Sequence, residues 1–216
     1  MPLACFTISG VDHAEIAALL TPYARLEDRT IASINIYLKL LLKWNAKMNL
    51  TSVRDPVEIM RRHFGESFFA AAHLSGPADS LTAIDLGSGA GFPGIPLALF
   101  SAEAQVTLIE ANGRKSAFLN EVIRALELNN ARVFNGRAEV FSGKANLVIM
   151  RAVEKFDLAV GLALKLVRPG GRLALMIGES QVKEARAQTP EVNWGGMVMV
   201  PGGRERVLMV GEFGTG

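Results

Sequence analysis

Cysteine is nearly absent from this sequence, since Cys5 is the only one among 216 residues. A single thiol excludes an intrachain disulfide and a cysteine-rich zinc site, and we predict no metal centre. The formal net charge is only +2, which neither requires nor excludes a nucleic-acid partner, because a basic face can coexist with a balanced total. The start of the chain lacks a basic stretch followed by a long apolar core, and no apolar run approaches the roughly 18 residues of a membrane span. We therefore expect a cytoplasmic protein with no signal peptide and no membrane contact.

Two regions of the chain differ in the spacing of their apolar residues. From Asp12 to His73 apolar residues recur at helical spacing, for example at Ile34, Leu38 and Leu41. The cluster Ser75–Pro77 is typical of a joint between structural units. We predict a helical segment over residues 1–76 that packs on a larger domain over residues 77–216.

The larger domain alternates candidate strands with candidate helices, a pattern that predicts a mostly parallel sheet with helices on both faces. A sharp turn is expected at Val167–Gly171, before the fifth strand, and the tail resembles a closing antiparallel hairpin. The predicted strands are Thr82–Leu86, Val106–Glu110, Arg132–Asn135, Leu147–Ala152 and Arg172–Ile177, followed by Met197–Val200 and Arg206–Val210 in the hairpin. The predicted helices lie near Pro96–Ser101, Arg114–Leu126, Phe156–Val167 and Val182–Ala187.

The most informative segment is Asp85–Pro96, which reads DLGSGAGFPGIP. A short apolar run ends in an acid, and three glycines follow, the arrangement of a strand that feeds a tight turn before a helix. The dinucleotide pattern G-x-G-x-x-G would need glycine at position 92, where Phe92 stands. The remaining pattern resembles the nucleotide loop of Rossmann-like class I methyltransferases that use S-adenosylmethionine. This resemblance makes Gly87, Gly89 and Gly91 candidate cofactor contacts.

Three charged residues at predicted strand ends are further candidates for the cofactor site. Glu110 ends the second strand, where a carboxylate can accept hydrogen bonds from both ribose hydroxyls. Asp85 could orient the glycine loop through backbone N–H groups or contact the amino group of the cofactor. Arg151 interrupts an apolar strand at its carboxyl end, where ligands of α/β proteins bind, and an unpaired charge is seldom buried there. Ala138 and Glu139 follow the third strand and fit either an adenine contact or an ordinary helix start.

Basic residues gather outside the glycine loop. Such groups are compatible with RNA binding, but a solvated surface explains a modest excess of charge equally well. His63, which neighbours Phe64, also fits a purely structural role. The candidate RNA contacts are Arg54, Arg62, His63, Arg114, Lys115, Arg137 and Arg206.

Two motif groups in the correct order resemble one family closely. The first comprises Leu42–Asn45, Asn49–Pro56, Arg62–His63 and Ser67. The second comprises Asp85–Leu97, Gly113–Lys115, Arg137–Glu139 and Arg151–Ala152, with a trace at Glu205–Arg206. The chain is similar to the bacterial 16S ribosomal RNA guanine-N7 methyltransferase G family, also known as glucose-inhibited division protein B.

The resemblance implies that S-adenosylmethionine is held by Gly87, Phe92, Ala138, Glu139 and Arg151. It further implies that the substrate is one guanine in the 16S rRNA of the small (30S) subunit. Nothing in the sequence requires more than one chain, so we expect a monomer. Guanine N7 has a lone pair and no proton, so no catalytic base is expected and catalysis depends on alignment.

Two positions depart from the family pattern. Ile177 stands where the family usually has lysine, and Glu66 where aspartate is more usual. Because Ile177 lacks the positive charge of lysine, an alternative function is a ribosome-assembly factor that binds cofactor and RNA without turnover. A methyltransferase for a small molecule or a protein is a further alternative, although the N-terminal motifs argue against it because the fold alone would not bring them.

Overall fold

A computed structural model describes residues 12–76, 81–151 and 156–214 of the chain. Its N-terminal segment contains the helices α1 (His13–Leu20), α2 (Asp28–Asn45), α3 (Pro56–Ile59) and α4 (Glu66–Leu74). Two of them, α1 and α3, begin at side-chain caps, which satisfy backbone N–H groups that lack intrahelical partners. Asp12 accepts from the N–H of Glu15 and Asp55 from that of Glu58, both at 2.8 Å.

A π-helical turn, Met60–Gly65, joins α3 to α4 without a break in the backbone. Turns of this kind insert one extra residue into a helix and are often found at functional sites. Gly65 lies so close to Tyr23 that a Cβ atom there would be 2.6 Å from the tyrosine ring. The turn that follows α1 is therefore packed tightly on the π-helical turn.

The sheet confirms the predicted fold class. Its seven strands lie in the order β3-β2-β1-β4-β5-β7-β6. The first five are parallel, and β7 pairs antiparallel with both β5 and β6, which is the expected closing hairpin. The strands are β1 (Thr82–Leu86), β2 (Gln105–Glu110), β3 (Ala131–Asn135), β4 (Ala145–Arg151), β5 (Val167–Gly178), β6 (Val192–Met199) and β7 (Arg206–Phe213). The helices between them are α5 (Gly94–Phe100), α6 (Gly113–Ala125), α7 (Phe156–Leu166) and α8 (Val182–Gln188).

The start of the fifth strand differs from the prediction. Val167–Gly171, expected to be a turn, lies within β5, which begins at Val167. The pairing with β4 changes register between Ala145 and Leu147, and Gly170 adopts a φ of 72°. An irregular ladder of this kind accommodates proline and glycines that a regular strand would not. The predicted end of the fourth strand, Ala152, lies outside the described residues.

Both faces of the sheet are buried. Successive side chains of a strand point to opposite faces, so each strand contributes to two cores. Leu147 and Ile149 of β4 join a core shared with α2 and α4, which includes Leu38 and Phe68. Val148 and Met150 join the opposite core, beneath α7 and α8. The N-terminal helices therefore cover one face of the sheet, and the boundary at residue 76 stays a prediction. In the described ranges, no helix is both long and apolar enough to cross a membrane.

Candidate cofactor and RNA site

The loop that follows β1 requires glycine. Gly87, Gly89 and Gly91 have φ values of 72°, 57° and 89°, in the left-handed region that other residues rarely adopt. A Cβ atom on Gly91 would also lie 2.6 Å from the hydroxyl of Tyr37 and 2.8 Å from Ile95. The loop backbone is thus bare on its open side and packed on the N-terminal helices below.

Two buried carboxylates hold this loop. Glu110 accepts from the N–H of Gly89 at 2.9 Å and from that of Asn112 at 2.7 Å. Asp85 accepts from the N–H of Gly94 at 3.0 Å, so it orients the start of α5. Burial raises the pKa of Asp85 to about 6, against the opposing effect of its hydrogen bonds.

A column of three stacked rings supports the loop from the N-terminal segment. Phe92 lies between Tyr37 and His63, with both ring centroids 5.2 Å away and interplanar angles of 8° and 24°. The Tyr37 hydroxyl donates to the carbonyl oxygen of Ala90. His63 Nε2 lies 2.7 Å from the Thr51 hydroxyl. Burial, together with nearby arginines, lowers the pKa of His63 to about 3, so the ring is neutral at physiological pH.

The segment that contributes Thr51 is itself fixed by a side chain of α2. Asn45 Oδ1 accepts from the N–H of Leu50 at 2.9 Å and from that of Thr51 at 3.0 Å. The stretch that follows α2 is therefore a turn closed by Asn45. Asn45, from the first half of the N-terminal motif, thus holds residues of the second half, Leu50 to Val53, that line the cavity described below.

Glu66 joins two arginines that are far apart in the sequence. Its Oε2 lies 2.9 Å from Arg151 Nη2 and its Oε1 lies 2.6 Å from Arg206 Nη2. The Glu66 side chain is only 3% exposed. Burial raises the pKa of Glu66, and the two arginines oppose that rise. Sequence reasoning noted Glu66 only as a departure from the family and missed this pairing, because no local pattern signals a contact across 85 residues.

Arg151 is also bound by the π-helical turn. Its guanidinium donates to the carbonyl oxygens of Arg62 and His63 and to the hydroxyl of Ser67. The charge in the apolar strand is therefore paired and buried, as its position required. It links the carboxyl end of β4 to the start of α4.

A cavity of about 610 Å³ opens above the glycine loop, at the carboxyl ends of the parallel strands. This is the position where open α/β sheets bind ligands. Residues from both sets of sequence candidates line it: Gly87, Gly89, Phe92, Glu110 and Arg151 from the cofactor set, and Arg62, His63, Lys115 and Arg206 from the RNA set.

The remaining candidates do not line this cavity. Asp85 and Gly91 lie buried beneath the loop, and Ala138 and Glu139 lie in a short 3-10 turn after β3. Arg54, Arg114 and Arg137 also lie outside it. The wall includes residues that sequence reasoning did not nominate, such as Ser52, Met176 and Gln181. Ile177 lines it as well, so the departure from the family pattern faces the site.

The cavity fits S-adenosylmethionine. An ionised carboxylate offers about four acceptor positions, and the two backbone bonds to Glu110 leave acceptors for ribose hydroxyls. The bare glycine backbone allows close approach of a ligand. The volume of the cavity lies within the range of about 300–1,000 Å³ that is usual for small-molecule sites.

Comparisons with known proteins agree with this geometry. A family model described as rRNA small subunit methyltransferase G matches residues 30–200. The ribosomal RNA small subunit methyltransferase G of Xanthomonas euvesicatoria pv. vesicatoria (strain 85-10) is 43% identical over 144 residues, which are 66% of this chain and 66% of that relative.

Solved structures support the fold. M. jannaschii TYW2 in complex with AdoMet superposes with a TM-score of 0.55 at 19% identity, covering 68% of this chain and 73% of that one. The ribosomal protein L11 methylase from Lactobacillus delbrueckii subsp. bulgaricus superposes with a TM-score of 0.60 at 10% identity, covering 71% and 79%. On the strength of the sequence matches, this chain belongs to the rRNA small subunit methyltransferase G family, whose members are S-adenosylmethionine-dependent methyltransferases.

Proposed function

We propose that this protein transfers a methyl group from S-adenosylmethionine to N7 of one guanine in the 16S rRNA of the small ribosomal subunit. One observation carries the proposal: the glycine loop and the N-terminal family motif form two walls of the same cavity. A cofactor held on one wall would therefore face a base presented at the other.

When bound, the cofactor supplies a methyl group on a positively charged sulfur. Transfer to the N7 lone pair of guanine would form one C–N bond and break the C–S bond, whose electrons would stay with sulfur. No proton moves in this step, so alignment of the three atoms is the main requirement. The neutral His63 is consistent with this chemistry, because the reaction needs no base and the ring already serves in the stack with Phe92.

The individual residues take the following roles in this proposal. Glu110 accepts hydrogen bonds from the ribose, and the bare backbone of Gly87 and Gly89 contacts the cofactor. Arg151, bound to Glu66, orients the cavity wall. Asp85 holds the loop from below, and its negative charge favours a cationic ligand.

Positive charge for RNA is supplied by Arg206 rather than by a lysine at position 177. Arg206 pairs with Gly178, the residue after Ile177, across the β5–β7 ladder. Its side chain lies at the same cavity, and 31% of it is exposed. Arg206 therefore stands next to the position where the family usually carries its lysine.

The test is methyl transfer in vitro. The protein is incubated with methyl-labelled S-adenosylmethionine and 30S subunits from a strain that lacks this activity, and the RNA is digested to nucleosides. We expect label in N7-methylguanosine, mapped to a single position of 16S rRNA. Label in another nucleoside, or in protein, would contradict the proposal.

Ile177 favours a second candidate, an assembly factor that binds RNA and cofactor without turnover. That reading predicts normal S-adenosylmethionine binding by calorimetry and no label in RNA. Ile177→Lys separates the two, because gain of activity only in this variant would support the second candidate.

We also propose that the protein acts as a cytoplasmic monomer, because a single chain supplies both walls of the cavity. Sedimentation equilibrium at micromolar concentration should give the mass of one chain, 23.2 kDa. A stable dimer mass would contradict the monomer.

A further inference from the structure

A second cleft, of about 710 Å³, lies beside the cofactor cavity and shares Arg62 and Arg206 with it. We call it the arginine cleft. Its walls come from the end of α1, the α3 helix with its π-helical turn, and the turn between β6 and β7. It is lined by Leu19, Pro22, Tyr23, Glu58, Arg61, Arg62, Pro201, Gly202, Arg204 and Arg206.

The arginine cleft is strongly basic. Its lining contains four arginines and one acid, Glu58. Glu58 lies 3.5 Å from Arg61, and both side chains are about half exposed, so this pair is weak. Arg62 and Arg204 are exposed to solvent, whereas Arg206 is paired with Glu66 at 2.6 Å. The guanidinium donors of Arg61, Arg62 and Arg204 are thus available to a ligand in the cleft.

The arginines are carried by a fixed backbone. The ring of Tyr23 packs on Gly65, and its hydroxyl would lie 3.3 Å from a Cβ on Gly202. The turn between β6 and β7 is closed by hydrogen bonds from Val200 to Arg206 and from Arg206 to Gly203, both at 3.0 Å. The π-helical turn is held in place by its contacts with Arg151. A preformed site of this kind loses little conformational entropy when it binds.

The chemistry of the cleft matches a phosphate backbone. Guanidinium groups bind phosphate oxygens in two-point contacts, and several of them along one groove suit a chain of phosphates better than a single anion. The groove continues directly into the cavity where the target base would be modified. RNA enzymes and readers reach such bases in single strands or loops, where a base can leave the stack.

We infer that the arginine cleft binds the sugar–phosphate backbone next to the target guanine, and that Arg61 and Arg204 are positioning residues for this RNA strand. The inference rests on the proposed function for the identity of the RNA. Arg61 and Arg204 lie outside the cofactor cavity, so their effect should fall on RNA binding and leave cofactor binding unchanged.

The test compares two double variants. Arg61→Gln with Arg204→Gln removes two charges from the cleft. Arg132→Gln with Arg168→Gln removes two from a cleft at the amino ends of the strands and is the matched control. Binding to 30S subunits from the strain lacking the activity is measured from 50 to 200 mM salt, with S-adenosylmethionine affinity and thermal midpoint measured in parallel.

Each phosphate contact on a single strand contributes about 0.7 to the slope of log K against log salt, so the cleft variant should lower the slope by about 1.4. Its loss of affinity should then be about sevenfold larger at 50 mM than at 200 mM salt. Cofactor affinity and the thermal midpoint should stay at wild-type values, and Arg61→Lys with Arg204→Lys should restore most of the slope.

An unchanged slope in the cleft variant, or an equal change in the control variant, would overturn the inference. This outcome is distinct from failure of the proposed function. If the wild-type protein transfers no methyl group and the cleft variant still shows a lower salt slope, the RNA-binding role of the cleft is supported and the proposed reaction is contradicted. If methyl transfer is normal and the salt slope is unchanged, the proposed reaction is supported and the role of the cleft is contradicted.

Discussion

The two ends of the parallel sheet differ in the kind of polar group that they contain and in how deeply it is buried. At the amino ends, polar groups satisfy one another near the surface: the backbone N–H and hydroxyl of Thr82 donate to Asn146 Oδ1, and the N–H of Asn146 donates back to the Thr82 hydroxyl. At the carboxyl ends, the charged groups Asp85, Glu110 and Arg151 are largely buried. Both ends have a cleft, but the buried acidic side chains of the described residues, Glu66, Asp85 and Glu110, lie at the carboxyl end.

This difference distinguishes polar groups that only join strands from charged groups whose burial needs another explanation. Burial of a charge is unfavourable unless partners compensate, and shifted pKa values of this kind cluster at functional sites. The amino end achieves the same strand pairing with neutral hydrogen bonds. We therefore propose that the buried charges at the carboxyl end serve ligand binding rather than the pairing of the strands.

The largest effect is expected from breaking the buried ion pairs. Glu66→Gln would leave Arg151 buried without a counter-charge, and we expect a loss of about 3–5 kcal/mol in the free energy of unfolding, measured with urea. Asn146→Ala, at the other end, removes neutral bonds near the surface and should lose only about 1 kcal/mol. Equal losses in the two variants would remove the contrast between the ends.

Cofactor affinity should depend strongly on Glu110. Hydrogen bonds to a charged group contribute about 1.5–3 kcal/mol, so Glu110→Ala should weaken S-adenosylmethionine binding about 10- to 100-fold in calorimetry. Asn146→Ala serves as the control and should bind with wild-type affinity. Wild-type affinity in the Glu110 variant would exclude the ribose role.

Cofactor binding should also weaken in acid through Asp85. Its pKa of about 6 means that the carboxyl is ionised at pH 7.5 and protonated at pH 5. Loss of the negative charge should lower affinity for the cationic cofactor by up to about fivefold between pH 6 and pH 5. In Asp85→Asn the affinity should be low and nearly independent of pH. A wild-type profile that is flat between pH 5 and 7.5 would contradict this role.

The smallest effect concerns stability and His63. Because its folded pKa of about 3 lies below the usual 6.5, the unfolded chain binds more protons between these values, and the contribution to stability is lost as pH falls below 6.5. From pH 6.5 to 5.5 the wild type should lose about 1 kcal/mol more than His63→Gln. Parallel pH profiles of the two proteins would show that His63 titrates normally.

More of the fold than of the candidate site could be predicted from the sequence. Short apolar runs located the first four parallel strands to within two residues at each end, because strand patterns are local, whereas the fifth begins five residues before its predicted start. The glycine loop and Glu110 were found in the same way, since strand, turn and acid follow at short, fixed spacings. These features make up the cofactor wall of the cavity.

Other features depend on contacts that no local pattern encodes. The ion pairs of Glu66 join residues 85 and 140 positions apart, and they form only when the helices cover the sheet. The close packing of Tyr23 on Gly65 in the π-helical turn likewise joins residues 42 positions apart. The irregular start of β5 was misjudged because Pro169 and its glycines signal a turn wherever they occur.

The central claim is that the carboxyl end of the sheet is the functional end. The most direct test is a crystal structure of the protein with S-adenosylhomocysteine. The account predicts the ligand above Gly87–Gly91, with its ribose hydroxyls within hydrogen-bond distance of Glu110. A ligand bound in the amino-end cleft near Thr82 and Arg168, or one that does not contact Glu110, would contradict it.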